Sequence, residues 1–305
     1  MTTIIASDKF IKTYTNKNGS VFKAATNLAC NSINNGQYGI IYDDFNPDMK
    51  KVNQWKKENK DMKIFHVSTR GKTLNMDSKI AFHKKMNTSK FTPESYLKKS
   101  NVTDKNGIYF VKTDGSTGSR GVNVFTYETL INAKTDNCVI QKSMINPDLY
   151  TNKRYKIRQH IIIHNKHVYL FKESFFTVSN IDYIDTNQDN LRNKHIICQS
   201  PDIKFVLSNT LEKYDVIEKN IILATEDFKK CYKDEIEKIN ENEFVILGFD
   251  FVVDTNKNVQ IIEINHRSNY AHPKHVSDIC DIGCIRDLII LMINKNTVNT
   301  NLILI

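Results

Sequence analysis

Two apolar, β-branched runs near the C-terminal end constrain this chain most. Phe249-Asp250-Phe251-Val252-Val253-Asp254 and Val259-Gln260-Ile261-Ile262-Glu263-Ile264-Asn265 flank Thr255-Asn256-Lys257-Asn258, which is turn chemistry. The pattern predicts a β-hairpin with an acidic residue in apolar company on each arm, Asp250 and Glu263. Strand side chains alternate faces with period two, so Glu263 and Asn265 point the same way. If the arms pair across the turn, Asp250 reaches the same spot. Three oxygen donors then converge, a set that suits Mg²⁺, a hard cation that takes one or two carboxylates together with substrate phosphates. An ordinary amphipathic hairpin with solvated carboxylates is the alternative that this stretch leaves open.

The chain around the hairpin is long enough, at 305 residues, for two or three lobes sharing a large core. It lacks an apolar run of about 18 residues, so no membrane partner is expected. Its first residues, Met1 to Phe10, show no basic region followed by an apolar core. The six cysteines are scattered without framework spacing, which predicts reduced thiols and a cytoplasmic location. Cys280 and Cys284, near His275, sit in an apolar helical pattern with no second ligand pair, which argues against zinc. A net charge of +9 implies acidic partners, such as nucleotide phosphates, acidic protein tails or nucleic acid, with a composition bias toward Lys, Asn and Ile as the plainer alternative. No motif for binding nucleic acid is present, and none is expected as a partner.

Along the chain, Ala24–Ile33 reads as a short helix, Tyr38–Tyr42 as a strand, Lys50–Lys60 as a charged helix and Lys63–Val67 as a second strand. This alternation predicts a small α/β lobe. Met76–Met86 reads as a helix capped by Asp77 or Ser78. Lys79 in its first turn opposes the helix dipole, a local conflict of the kind found where a residue serves a ligand; a solvated lysine is the plainer alternative. Gly107–Lys112 reads as a strand running into Thr113-Asp114-Gly115-Ser116-Thr117-Gly118-Ser119-Arg120-Gly121 and returning as Val122–Phe125. Glycines let backbone amides approach phosphate oxygens closely, and Lys112 and Arg120 add charge. The loop is neither a Walker loop nor a Rossmann fingerprint, and a merely flexible hairpin loop is the competing reading. Cys138–Ile145 is an apolar strand that turns polar before Asn146-Pro147, as a link between two lobes would. Tyr155–Ile163 and Val168–Glu173 form a long hairpin whose first arm carries Lys156, Arg158 and His160 on one face, suited to an anion unless it is a solvated edge. Residues 180 to 200 read as loop, Glu212 to Asn240 as one or two helices, and Asp278 to Ile293 as an apolar core helix.

In this order and spacing, Asp77-Ser78-Lys79, Phe91-Thr92-Pro93-Glu94-Ser95-Tyr96, Lys112 before its glycine-rich loop, Val139-Ile140-Gln141-Lys142, Arg154-Tyr155-Lys156-Ile157-Arg158, Leu191-Arg192-Asn193 and the Asp250…Glu263-Ile264-Asn265 hairpin resemble the tubulin-tyrosine ligase-like branch of the ATP-grasp enzymes. The resemblance implies an α/β (α+β) ATP-grasp fold with nucleotide held between two lobes. The expected division is an N-terminal α/β lobe over 1–75, a central lobe over 76–145 and a C-terminal lobe over 146–305. It implies ATP and Mg²⁺ as cofactors. Lys79, Lys112, Gly118, Ser119, Arg120 and Gly121 would lie along the phosphates. Gln141, Lys142, Ser143 and Met144 would lie at adenine, and Arg154, Lys156 and Asn193 elsewhere on the nucleotide. Asp250, Glu263 and Asn265 would hold the metal, and Arg158, Lys112 and Glu263 would carry the chemistry. The implied reaction joins a free amino acid to a protein acceptor, such as the acidic tail of tubulin, through an acyl-phosphate. Two positions depart from the family pattern: Lys156 stands where the family has Asp, and Thr177 where it has an arginine for the amino-acid carboxylate.

Overall fold

Apolar runs that are too continuous for a half-exposed sheet become its central strands. A computed structural model of the chain describes residues 3–6, 11–15, 18–33, 36–42, 49–116, 121–183, 195, 203–266, 270 and 272–305. The first strands are β1 (Thr3–Ala6), β2 (Ile11–Thr15), β3 (Tyr38–Tyr42) and β4 (Lys63–Val67), with helices α1 (Gly19–Cys30) and α2 (Met49–Glu58) between them. β2, β3 and β4 run parallel, as right-handed strand–helix–strand units require. Trp55 of α2 packs with Ile41 and Ile64 rather than facing a ligand. The α1 helix begins earlier than its apolar pattern suggests, at Gly19.

Next come α3 (Arg70–Asp77) and α4 (Lys79–Met86), then β5 (Ser95–Tyr96), β6 (Ile108–Thr113), β7 (Val122–Thr126) and β8 (Cys138–Lys142). These four strands form a separate antiparallel sheet in the order β5-β8-β6-β7. Its period-two alternation is plain. Tyr109, Val111, Cys138 and Ile140 face a core of their own with Val102 and Leu130, while Phe110, Lys112 and Gln141 face the other way, into a cleft.

The remaining strands are β9 (Leu149–Tyr150), β10 (Lys153–His164), β11 (His167–Asp182), β12 (Lys204–Leu207), β13 (Glu243–Val253), β14 (Val259–His266) and β15 (Leu302–Leu304). The large sheet runs β1-β2-β3-β4-β13-β10-β11-β12, with β9, β14 and β15 paired to β10, β13 and β11. The joint is a short parallel pairing of β4 with the start of β13, His66 opposite Glu243 and Val67 opposite Phe244. Both faces of the sheet are covered. Ile157, Ile161, Ile163, Val245, Leu247, Phe249 and Phe251 pack against Ile217, Ile221, Ala224 and Phe228 of α5 (Tyr214–Cys231). Ile162, Phe244 and Ile246, on the opposite face, pack against Phe22 and Ala25 of α1 and against α6 (Ile282–Asn294). The turn before α6, Ser277–Asp281, is π-helical.

This second face changes character along its length. Beyond Ile162 and Ile246 it carries His160, Arg158 and Lys156 on β10 and Asp250 on β13, with Arg158 directly opposite Asp250. His160 is fully buried, so only the outer part of the cationic strand face read from the sequence belongs to a site. The hairpin of β13 and β14 has the expected turn, and Asp250 faces Glu263 across it, with Gly248 facing Asn265. A one-residue register shift between Asp250 and Phe251 leaves Ile262 with no residue opposite, a β-bulge.

Phe249 is fully buried, with its ring centroid 4.9 Å from that of Phe228 and 6.0 Å from that of Phe251. Phe249→Ala is expected to cost about 3–5 kcal/mol of folding free energy, read as a lower urea midpoint at unchanged slope.

Candidate active site

Lys112 closes the floor of a cleft between the small sheet and the β13–β14 hairpin. Its Nζ donates to Gln141 Oε1 at 2.6 Å, from the neighbouring strand, and to the Ile262 carbonyl at 2.9 Å, across the cleft. That carbonyl is available because the bulge removes Ile262 from the ladder. Lys112 is buried, and burial pushes its ammonium down to about 8; Lys79 and Lys156 push the same way, against Glu263 and Asp250.

Lys79 opens α4. The Ser78 hydroxyl caps the helix by accepting from the Ala81 amide at 3.1 Å, which settles the choice between Asp77 and Ser78. Asp77 instead accepts from the His266 amide at 3.3 Å. The dipole conflict at Lys79 is offset by Asp114, whose carboxylate accepts from the Lys79 amide at 2.7 Å and from the Ser78 hydroxyl at 2.9 Å. The Lys79 ammonium donates to the Ser116 carbonyl at 2.8 Å and lies 3.3 Å from Glu263 Oε1. Lys79, Lys112 and Glu263 line one hollow.

Asp250 is brought beside Glu263 but is not open. Arg158 Nε donates to its Oδ1 at 2.6 Å, Arg158 Nη2 to its Oδ2 at 3.3 Å, and Lys156 Nζ to the same Oδ2 at 2.8 Å. Only 1% of the side chain is exposed. Burial alone would raise this carboxyl, but Arg158 and Lys156 outweigh it and hold Asp250 well below the usual carboxylate range. Glu263 is 31% exposed, and the Asn265 amide donates to the Gly248 carbonyl at 3.4 Å. Lys156 also stands opposite Thr177, whose buried hydroxyl has no hydrogen-bond partner among the described residues.

The cleft encloses about 650 Å³, counting space open to solvent, and is lined by Pro93, Phe110, Lys112, Val122, Gln141, Lys142, Met144, Arg154, Lys156, His195, Val252, Ile262 and Glu263. Apolar side chains on both walls suit a flat ring, with polar groups at its edge. The Lys142 ammonium is drawn to Asp104 at 2.9 Å and Glu94 at 3.4 Å. The Ser143 amide donates to the Ile108 carbonyl at 2.7 Å, so that N–H serves the fold. Arg154 is buried, stacks 5.5 Å over Tyr183 and donates to His195 Nδ1 at 2.5 Å. In the glycine-rich loop, the Gly121 carbonyl accepts from the Thr113 amide at 2.8 Å, and a Cβ at Gly121 would collide with the Ser116 side chain. Gly118, Ser119, Arg120 and Asn193 lie outside the described residues.

Sequence reasoning missed Asp114, Asp104, His195 and the Ile262 carbonyl. Asp114 had a signal, an Asp-Gly pair after a strand, but it falls in the glycine-rich loop, where the glycines and the cations took the weight. A bulge leaves no mark in an apolar run, and His195 belongs to no motif read from the sequence.

The sequence model of the tubulin-tyrosine ligase family matches residues 46–205, just over half of the chain. The chain belongs to the tubulin-tyrosine ligase family. Its mixed α/β architecture, with a curled mixed sheet, is the ATP-grasp-like fold of that family. The matched stretch holds Lys79, Lys112, Gln141, Arg154, Lys156 and Arg158, and the β13–β14 hairpin lies beyond it. The chain is also similar to a protein of Tetrahymena thermophila described as a probable beta-tubulin polyglutamylase. The two are 22% identical over 258 residues, covering 67% of this chain and 21% of that protein, so this chain spans about a fifth of its relative's length. Tubulin-tyrosine ligase family proteins are ATP-dependent ligases that modify proteins. No helix among the described residues is long and apolar enough to cross a membrane.

Two outcomes follow from this geometry. Between about pH 8 and the ordinary lysine value of 10.5, the unfolded chain binds the proton that folded Lys112 has released, so stability rises with pH across that window. The rise is at most about 3 kcal/mol, and a Lys112→Met variant should lack it when urea midpoints are compared at the two ends of the window. Asp114→Ala should cost about 1 kcal/mol through the lost support at the α4 terminus, measured by the same titration.

Proposed function

We propose that this chain is an ATP-dependent carboxylate–amine ligase that joins an amino acid to a protein. The observation that carries the reading is the grouping at the cleft floor. Lys112 is buried between Gln141 and the Ile262 carbonyl, with Lys79 and Glu263 alongside, under walls that suit a base. The polyglutamylase likeness adds tubulin, or another protein with an acidic tail, as the acceptor class and glutamate as the amino acid. The net charge of +9 favours such a tail.

In the reaction, an acceptor carboxylate attacks the γ-phosphorus of ATP and ADP leaves, which gives an acyl-phosphate. The amine of the incoming amino acid then displaces phosphate and forms the amide. No general base is needed for the first step, because a carboxylate is already ionised at neutral pH. Lys79 and Lys112 place positive charge where phosphoryl oxygens gather negative charge. Arg158, fixed by Asp250, adds positive charge beside Lys156. Gln141 and Met144 border the base, and Pro93 and Ile262 exclude water from it. Magnesium, when bound, neutralises phosphate charge. Glu263 and Asn265 are the oxygen donors that fit it, whereas Asp250, with both oxygens engaged, does not fit that role in this arrangement.

A second reading is a nucleotide-binding module without ligase turnover. Lys156 and Thr177 favour it, because the acceptor side lacks the family's Asp and Arg at these positions.

ADP release is the measurement that separates the two, with ATP, Mg²⁺, an acidic tail peptide and a panel of amino acids. The ligase reading expects acceptor-dependent release that Glu263→Gln lowers at least a hundredfold while the melting profile stays unchanged. Full activity in Glu263→Gln would remove Glu263 from the chemistry. Tight nucleotide binding without release for any acceptor would favour the module.

A further inference from the structure

Asp250 is the most deeply placed carboxylate of the site, and its position beside Glu263 is where a metal would be sought. Both of its oxygens are already engaged. Oδ1 takes Arg158 Nε at 2.6 Å, and Oδ2 takes Lys156 Nζ at 2.8 Å and Arg158 Nη2 at 3.3 Å. A carboxylate sealed to 1% exposure has no solvent-facing lone pair left for an ion. A divalent cation arriving from the cleft would meet the Lys156 ammonium at Oδ2, and the two positive charges would repel each other in a buried setting.

The ammonium is itself built into the fold. Lys156 sits on β10 next but one to Arg158, and both point to the face on which β13 presents Asp250. On its other side, β10 pairs Lys156 with Thr177, whose side chain brings no competing charge.

We propose that the Lys156 ammonium is the resident counter-cation of Asp250, closing that carboxylate to divalent ions, so that metal arriving with nucleotide rests on Glu263 and Asn265 alone. The first half of this statement is independent of ligand; the second rests on the nucleotide reading above.

Manganese serves as the probe, with the bound ion read from loss of the free-ion EPR signal. In the first arm Mn²⁺ is titrated into the chain without nucleotide. Lys156→Met keeps the stem and removes the charge, Lys156→Gln does so with a shorter polar group should the first not fold, and Lys156→Arg keeps the charge. The neutral variants are expected to gain one ion bound at least tenfold tighter than in the unaltered chain or in Lys156→Arg, and a further Asp250→Asn change to abolish the gain. Equal binding by the unaltered chain and both neutral variants overturns the proposal, as does binding by the unaltered chain that Asp250→Asn weakens. In the second arm a non-hydrolysable ATP analogue is added. One ion per unaltered chain and two per neutral variant are expected, and two per unaltered chain overturn the proposal. If the analogue binds to no form of the chain, the nucleotide reading fails, and the first arm still decides the role of Lys156.

Discussion

The bond from the Lys112 ammonium to the Ile262 carbonyl is the constraint on which the site depends. It joins the small antiparallel sheet to the hairpin of the large one. It needs two unusual conditions at once. A lysine must be buried, which costs free energy, and a strand must give up one residue of its ladder so that a carbonyl is left to accept. Neither condition improves the fold by itself. Together they hold two sheets, each with its own core, at a separation that leaves a cleft between them. A local sacrifice of stability on this scale is the expected signature of a site serving a ligand.

The second device is the buried charge cluster of Asp250, Lys156 and Arg158. Bringing such groups out of water carries a desolvation penalty that pairing repays only when the geometry is good and the remaining donors are satisfied. Here β10 and β13 supply that geometry through their register, since a strand pair places opposite residues close enough for side chains to meet. The face that is apolar at Ile162 and Ile246 turns ionic at Arg158 and Asp250 where the strands run out past α1 and α6. The same alternation that builds the core therefore also builds the site, with only the residue types exchanged.

Much of this was legible in the residues. The Thr255–Asn258 turn fixed the hairpin and so the meeting of Asp250 with Glu263; Ser78 was readable as a cap; and the strand, glycine-rich loop and strand around Lys112 followed from local pattern. What was not legible is non-local. The pairing of β4 with β13, which joins the N-terminal strands to the rest, involves residues far apart in the chain, and no local propensity reports it. The engagement of Asp250 by Lys156 likewise depends on register between strands separated by a long insertion. Asp114, the partner of the Lys79 amide, is a turn residue by every local rule, and its role exists only because α4 begins against it. Periodicity gives elements and faces; it does not give which elements meet.

The strand β13 carries both joints of the large sheet on one edge. Its first residues pair with β4, and its later ones pair with β14. From Phe244 to Asp250 the strand covers about 20 Å, so the N-terminal strands and the carboxylates are held on one rigid rule graduated in residues. A single inserted residue between these points would move the two joints apart by about 3.3 Å. It would also turn Asp250 from the ionic face to the one packed against α5, placing a charge against Ile221 and Phe228 and taking Phe251 out of that core. This segment therefore tolerates changes of side chain far better than changes of length, although its ends belong to different parts of the fold.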